Sequence, residues 1–322
     1  MCATGASGTN AVRYGTLKEN TLNLEVVLAD GTVLETAGKG MRAKKSSAGY
    51  DLTHLFVGSE GTLGIITSAT LKLYPRPEVQ RGAMAAFGSV QDAINAVVGI
   101  LQASIPIARI EFLDKLSMKI CNLYSKTDYR EQPTLFMEFH GSEQNVNEQI
   151  EFVSMLVDQN KGMDFKQAES EDERRTLWKA RHDMHWALKA YKPGYKTYNT
   201  DICVPISKLP ETIEFYTNYF QNLGMEVPIL GHVGDGNLHG TIYFDPSLEG
   251  FENCGFHHEK AAERMALWAI SNGGTCTGEH GVGLGKIKLL KRQFGPEGMS
   301  VMKNIKSALD PLNVMNPGKV LE

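Results

Sequence analysis

Gly231-His232-Val233-Gly234-Asp235-Gly236-Asn237-Leu238-His239 is the stretch on which the reading of this chain turns. A glycine-rich turn in it brings two histidines close together. With Asp235-Gly236 as the two central residues of a tight hairpin, Gly234 faces Asn237, Val233 faces Leu238, and His232 faces His239. Directly opposed side chains share one face, with Cβ atoms roughly 4.5–5.5 Å apart, which suits two imidazoles on one ion. On a single uninterrupted strand, histidines seven apart would point to opposite faces, so the turn creates the pair.

A second compact run, Gly278-Glu279-His280-Gly281-Val282-Gly283, follows later in the chain. Two neutral imidazoles with one carboxylate, Glu279, form a common catalytic zinc set that leaves a position open for water or substrate. The same nitrogen and oxygen donors suit manganese or iron. Adjacent side chains diverge, so His280 is better placed as a general base than as a fourth ligand. The alternative is that His232 and His239 are hydrogen-bonded core histidines and Glu279 an ordinary loop acid. The remaining histidines, His54, His140, His182, His257 and His258, read as structural or solvated.

Working outward, residues 1–76 read as short strands and glycine turns. Leu22 to Leu28, Asp30-Gly31 and Thr32 to Thr36 give a β-hairpin pattern. The runs Thr4-Gly5-Ala6-Ser7-Gly8-Thr9-Asn10 and Gly58-Ser59-Glu60-Gly61-Thr62-Leu63-Gly64-Ile65 flank it. Such glycines let backbone approach a ligand and leave N–H groups for anionic oxygens; two tight turns are the alternative. Neither run fits the dinucleotide fingerprint G-x-G-x-x-G, so a Rossmann domain is not indicated.

Pro75-Arg76-Pro77 marks a boundary. Beyond it strands (Ala83 to Phe87, Arg109 to Phe112, Thr134 to His140) alternate with helices (Val90 to Gln102, Asp114 to Asn122, Glu143 to Gln159). This alternation predicts an α+β layer with helices on one face of a sheet. Glu171 to Tyr191 reads as one long helix that places Arg181 and His185 on a face with Trp178 and Leu188. An arginine in such surroundings needs a carboxylate, from the protein or from a ligand. Lys196 to Val204 reads as a strand and Leu209 to Leu223 as a helix. A further helix is expected from about Gly255 to Asn272, then two more helical segments and the tail Met315-Asn316-Pro317-Gly318-Lys319.

Composition sets the outer limits. The 322 residues, 42 % apolar, can fill two ordinary cores. With 33 basic against 37 acidic residues and no evident basic face, a nucleic-acid partner has no electrostatic support. The apolar runs are too short for a transmembrane helix. Cys2, Cys121, Cys203, Cys254 and Cys276 are scattered and odd in number, which predicts reduced thiols in an intracellular or organellar protein. No transit or signal segment is visible.

An ordered set of motifs carries a family resemblance. It comprises Ser7 to Thr16, Ala48-Gly49-Tyr50-Asp51-Leu52, Gly58 to Gly64, Trp178 to His182, Gly231 to His239, Gly274 to Gly281 and Asn316 to Lys319. The chain resembles the FAD-linked oxidoreductases of the vanillyl-alcohol-oxidase (VAO/PCMH) type, also grouped as the FAD-binding oxidoreductase/transferase type 4 family. Within these it is most similar to the cytochrome-linked D-lactate dehydrogenase branch of the D-2-hydroxyacid dehydrogenases.

The resemblance implies an α+β fold. Residues 1–76 would be the C-terminal remnant of a PCMH-type FAD-binding domain. Residues 77–322 would be a ferredoxin-like substrate (cap) domain with a C-terminal helical segment, whose tail, 311–322, returns to the flavin. It implies His232, His239 and Glu279 as ligands of one divalent metal, zinc or manganese. His280 would be the base and Arg181 the anchor of the substrate carboxylate. Gly5, Ser7, Gly8, Thr9, Asn10, Gly15, Gly58, Glu60, Gly61, Gly64, Ile65 and Asn316 would contact FAD. The implied reaction is oxidation of D-lactate to pyruvate in the mitochondrion, with electrons passed to cytochrome c.

Relatives acting on D-2-hydroxyglutarate carry a lysine where this chain has Asn199 or Thr200, which favours a small monocarboxylate. D-2-hydroxyglutarate or glycolate oxidation is the alternative within the family. Full-length members begin with a transit peptide and the pyrophosphate-binding part of the FAD domain. The sequence reads as starting after these, so a truncated, non-catalytic metal-binding fragment is a further alternative. The alkyl-glycerone-phosphate synthases share the fold, but no phosphate site or long-chain channel is visible in the sequence.

Overall fold

The computed structural model describes residues 1–247 and 258–321. The chain forms two compact units, Met1–Pro75 with Cys276–Glu322, and Arg76–Thr275. The expected second domain, 77–322, differs from this division: everything from Cys276 onward packs with the first unit.

In that first unit, strands β1 (Thr21–Val27), β2 (Val33–Glu35) and β3 (Ile65–Leu71) form an antiparallel sheet in the order β2-β1-β3. The β1–β2 hairpin is the one the sequence predicts, closed with Val27 opposite Val33. Three short helices, α1 (Ala11–Tyr14), α2 (Leu17–Asn20) and α3 (Leu52–Phe56), occupy what reads in sequence as glycine turns. Side chains start two of them: Thr16 and Glu19 form a capping box on α2, and Asp51 accepts from the His54 amide at α3. The core is Leu24, Val26, Phe56, Val57 and Leu63, with Ile305 and Leu309 packed against it. That apolar contact and the Lys306 ammonium, which donates to the Thr62 carbonyl at 2.8 Å, bind the C-terminal helix into this unit.

The second unit contains β4 (Val79–Phe87), α4 (Val90–Gln102), β5 (Arg109–Leu113), α5 (Lys115–Ser125), β6 (Thr134–Gly141), α6 (Glu143–Gln159) and β7 (Gly162–Gln167). Its sheet begins in the order β7-β4-β6-β5, with every neighbouring pair antiparallel. This is the ferredoxin-like βαββαβ arrangement. Beyond β5 the sheet continues through three strands, β8 (Lys196–Asn199), β10 (Ile229–Gly231) and β11 (Asn237–Phe244), in the order β10-β11-β8, and β9 (Ile202–Cys203) also pairs with β11. The remaining helices are α7 (Glu171–His182), α8 (Met184–Tyr191), α9 (Leu209–Asn222), α10 (His258–Ser271) and, in the first unit, α11 (Ile287–Leu309), kinked at Gly295. Serine side chains cap the starts of α4, α6 and α7, and Asp114 that of α5.

Several expectations are corrected here. Helices cover both faces of the sheet rather than one: β4 and β6 are buried at consecutive positions, so neither face meets water. Met84, Leu113 and Phe136 pack with α5, α7 and α8, whereas Phe87, on the opposite face, lies against the Gly162–Val157 corner that ends α6. The single helix expected over 171–191 breaks at Asp183, so Arg181 is buried and His185 is exposed. Strand 196–204 is interrupted at Thr200-Asp201, and β7 was not anticipated.

Three of the histidines outside the hairpin make local structural contacts, while His182 and His185 are exposed. His54 bridges Asp51 and the Lys18 carbonyl, His140 contacts Glu138 at 2.8 Å, and His258 stacks on Phe244. Cys2, Cys121, Cys203 and Cys276 are free thiols, and burial pushes Cys121 and Cys203 up to about 11. His257 and Cys254 lie outside the described residues. Among the described residues no helix is long and apolar enough to cross a membrane.

At Gly64, expected at the flavin, a Cβ would lie 2.6 Å from Val26 Cγ1 and 3.0 Å from the Val27 carbonyl, so the position is also tightly packed against β1. Gly64→Ala is expected to destabilise the first unit by about 1–3 kcal/mol, measured by denaturant unfolding. Unchanged stability would show that the β1–β3 contact yields at no cost.

Candidate active site

In the second unit the site is built on one face of the sheet. β10 pairs with β11 through Ile229–Gly240 and Leu230–His239. His239 therefore opposes Leu230, not His232, which corrects the hairpin expected from the sequence. The connection is a four-residue loop, Val233 to Gly236, closed by the Asp235 and Asn237 amides donating to the His232 carbonyl at 3.0 and 3.3 Å. Gly236 sits at φ 82°, and a Cβ on it would lie 2.0 Å from the Val204 carbonyl oxygen. The two histidines still share a face, as diagonal neighbours, with ring centroids 5.7 Å apart and planes nearly perpendicular.

Each ring is oriented through Nδ1. His232 Nδ1 lies 2.7 Å from Glu111 Oε1. His239 Nδ1 lies 3.3 Å from the Thr200 carbonyl oxygen and 3.8 Å from Asp201 Oδ1. With Nδ1 donating to these oxygens, each imidazole carries its lone pair on Nε2, the protonation that metal ligation requires. Asp201 is itself held by the Asn237 side-chain amide at 2.9 Å.

Glu111 is the residue that the sequence reading missed. It is fully buried, and its second oxygen accepts from Arg181 Nη2 at 2.5 Å. Burial alone would push this carboxyl up; Arg181 and then His232 outweigh it and hold the group below its ordinary range. Arg181 therefore takes its carboxylate from the protein, although its buried Nε has no hydrogen-bond partner. A second buried carboxylate, Glu138, meets Arg174 at 2.6 Å and Arg109 at 3.5 Å on the same sheet face. Arg174 and Arg181 are seven apart, so one face of α7 carries both cations.

In the first unit, Asn316 and Gly61, two of the residues expected at the flavin, meet at Glu60. Its carboxylate accepts from the backbone N–H groups of Val282 and Gly283 at 2.7 and 2.8 Å, and its carbonyl accepts from the Asn316 side chain at 2.6 Å. Ser7 Oγ donates to Glu279 Oε2 at 2.8 Å. The two glycine runs meet where Gly58 N–H donates to the Cys2 carbonyl and Glu60 N–H to that of Ala3. Those two amides are thereby bonded to protein rather than offered to an anion. A Cβ at Gly8 or Gly58 would meet no atom within 4 Å. Gly5 and Gly61 also have left-handed φ, Gly15 turns the chain after α1, and Thr9 and Asn10 lead into it. Ile65, at the start of β3, is exposed. His280 is half-exposed with Nε2 3.8 Å from Glu279 Oε1, closer than neighbours on an extended strand would come.

Residues 76–320 match the family model for the C-terminal domain of FAD linked oxidases. The chain belongs to this family. It is 55 % identical to "Probable D-lactate dehydrogenase, mitochondrial" of Danio rerio, with 100 % of this chain and 64 % of that protein aligned. It is 42 % identical to "D-lactate dehydrogenase [cytochrome], mitochondrial" of Arabidopsis thaliana, over 100 % of this chain and 56 % of the relative. The chain thus spans less than two thirds of the length of these curated relatives. Among solved structures, substrate-bound p-cresol methylhydroxylase superposes with a TM-score of 0.76 at 16 % identity, covering 99 % of this chain and 68 % of the other. At this identity the likeness supports the α+β fold alone.

The Glu60 carboxylate can be tested by its effect on the loop it holds. Glu60→Gln places an amide N–H₂ against one of two backbone donors, and charged hydrogen bonds of this kind are worth about 1.5–3 kcal/mol each. Hydrogen exchange at the Val282 and Gly283 amides is expected to quicken at least tenfold, the equivalent of about 1.4 kcal/mol. Unaltered exchange would show that the loop is fixed by other contacts.

Proposed function

We propose that this chain supplies the substrate half, and part of the flavin half, of an FAD-dependent D-2-hydroxyacid dehydrogenase that oxidises D-lactate to pyruvate in mitochondria and passes electrons to cytochrome c. The observation that carries the reading is the His232–His239 pair. Both rings are turned by Nδ1 contacts so that Nε2 is the basic atom, on the sheet face that also carries Arg181. The names of the Danio rerio and Arabidopsis thaliana relatives support the substrate, the acceptor and the compartment.

His232 and His239, with Glu279 as the third donor that the family resemblance implies, would hold a divalent ion, zinc or manganese, which would supply a Lewis acid for a 2-hydroxy acid. Bound FAD supplies the two-electron oxidant. Gly5, Ser7, Gly8, Thr9, Asn10, Gly15, Gly58, Glu60, Gly61, Ile65 and Asn316 are the residues proposed to hold it, and Gly64 would keep the strand beside them close. His280, half-exposed, accepts the proton of the C2 hydroxyl as it leaves. Arg181 gives Glu111 one hydrogen bond through Nη2, and its remaining guanidinium N–H groups are proposed to anchor the substrate carboxylate. Asn199 and Thr200 add no second cation: Asn199 accepts from Thr241 and Thr200 from the Gly240 amide. A monocarboxylate is therefore favoured over 2-hydroxyglutarate, while glycolate remains the closest competitor.

A second reading is a metal-binding chain without turnover. Two measurements separate them. The FAD-supplemented chain is expected to reduce a dye with D-lactate in preference to L-lactate, glycolate and D-2-hydroxyglutarate, and His280→Gln is expected to lower kcat by about 10²–10⁴-fold. Absence of D-lactate-dependent reduction would overturn the dehydrogenase reading for this chain. Metal bound by the wild type and lost from the His232→Ala, His239→Ala double variant would support the ligands independently of turnover; retention would refute them.

A further inference from the structure

We propose that Glu111 is a positioning residue of this site: its buried carboxylate is shared between Arg181 and His232 and sets the His232 imidazole so that Nε2 faces a divalent cation. The inference rests on the reading of His232 as a metal ligand and names what makes it one.

Glu111 lies in the middle of β5 between Ile110 and Phe112, in a strand that is otherwise apolar from Ile110 to Leu113. An ionised carboxylate there is costly unless both oxygens are matched. They are: Oε1 meets His232 Nδ1 at 2.7 Å and Oε2 meets Arg181 Nη2 at 2.5 Å. The two partners come from different elements, the loop after β10 and the helix α7. Arg181 fixes the carboxylate, and the carboxylate fixes the ring.

Glu138 shows that such an arrangement is not merely how this sheet tolerates acids. It is equally buried, on the same face, and paired with two arginines. Yet the histidine it meets, His140, is engaged through Nε2 rather than Nδ1. The Glu111 arrangement instead engages Nδ1 and leaves Nε2 of His232 as the acceptor. Arg181 then has two roles joined through one carboxylate: it holds the group that orients His232 while keeping an unpaired Nε.

The test uses the whole chain and zinc titration against a chromophoric chelator, together with imidazole ¹⁵N shifts of the metal-free protein. His232→Ala is expected to abolish high-affinity binding. Glu111→Gln is expected to weaken zinc by about 10–100-fold, the range found when the carboxylate behind a metal-bound histidine is removed. In that variant His232 is expected to lose its single Nδ1–H tautomer. Glu138→Gln removes a comparable buried charge and should leave both readouts unchanged. Arg181→Met should weaken zinc in the wild type but add nothing in the Glu111→Gln background, because it acts through the same carboxylate. Should the Gln variant not fold, Glu111→Asp keeps the charge opposite Arg181 while withdrawing the carboxylate from the ring, and the same two losses are expected.

If zinc affinity and the His232 tautomer are unchanged in the Glu111 variants while His232→Ala loses the metal, the positioning role is overturned and the ligand reading stands. Equal losses in Glu111→Gln and Glu138→Gln would also overturn it, since buried charge alone would then be responsible. If His232→Ala itself binds zinc like the wild type, the ligand reading fails first.

Discussion

The second unit is organised around a carboxylate that has no access to water. Glu111 can stay ionised in the sheet only because Arg181 reaches it from α7 and His232 from the loop after β10. Removing one partner of such a buried pair costs about 3–5 kcal/mol, because the remaining charge is left unmatched. Three elements are thereby held in register by one group. α7 must lie over the sheet at a fixed depth, and Gly82 permits this: a Cβ there would come within 3.2 Å of Arg174 Cγ. The same helix face then meets Glu138 one turn-pair away, so two ionic contacts seven residues apart fix both its rotation and its translation.

The local patterns were legible where local physics decides them. Ser89, Ser142 and Ser170 begin helices because their hydroxyls accept from amides three residues on, and a reader of the sequence can expect this. The alternation of strands and helices after Pro75 likewise leads to the ferredoxin-like order. The hairpin shows where such reading stops. Asp235-Gly236 has the composition of a two-residue turn, but Gly236 is a glycine because the Val204 carbonyl lies against it, which is a tertiary reason. The loop is therefore longer by two residues, Val233 and Gly234, both on its N-terminal side. Because the pairing moved by an even step, His232 and His239 kept the same face and the proposed ligand pair survived the error.

The break at Asp183 and the role of Glu111 were not legible. Asp183 carries no proline or glycine signal, yet α7 ends and α8 begins there, which splits Arg181 from His185. Arg109-Ile110-Glu111-Phe112 reads as a strand with one acid in it. Its partners lie 70 and 121 residues away, so neither is visible in any sequence window. The apolar residues on both sides were the available signal: an acid flanked by isoleucine and phenylalanine in a strand buried on both faces must have a cation nearby.

The same division of labour appears in each unit considered by itself. Glu60 uses both carboxylate oxygens on the Val282 and Gly283 amides of the loop that bears Glu279 and His280. Glu111 uses both of its oxygens to orient a ring and an arginine. Neither acid is proposed to touch substrate or metal, and each is placed so that the groups which do are presented by the correct atom. A histidine becomes a ligand or a base only when its other nitrogen is committed, and a glycine-rich loop holds one conformation only when its amides have acceptors. Motif residues such as His232 and His280 therefore mark where the chemistry is proposed, while the acids that make them competent lie in unremarked strands and turns. In this chain the proposed chemistry depends on both sets, and only the first carries a recognisable spacing.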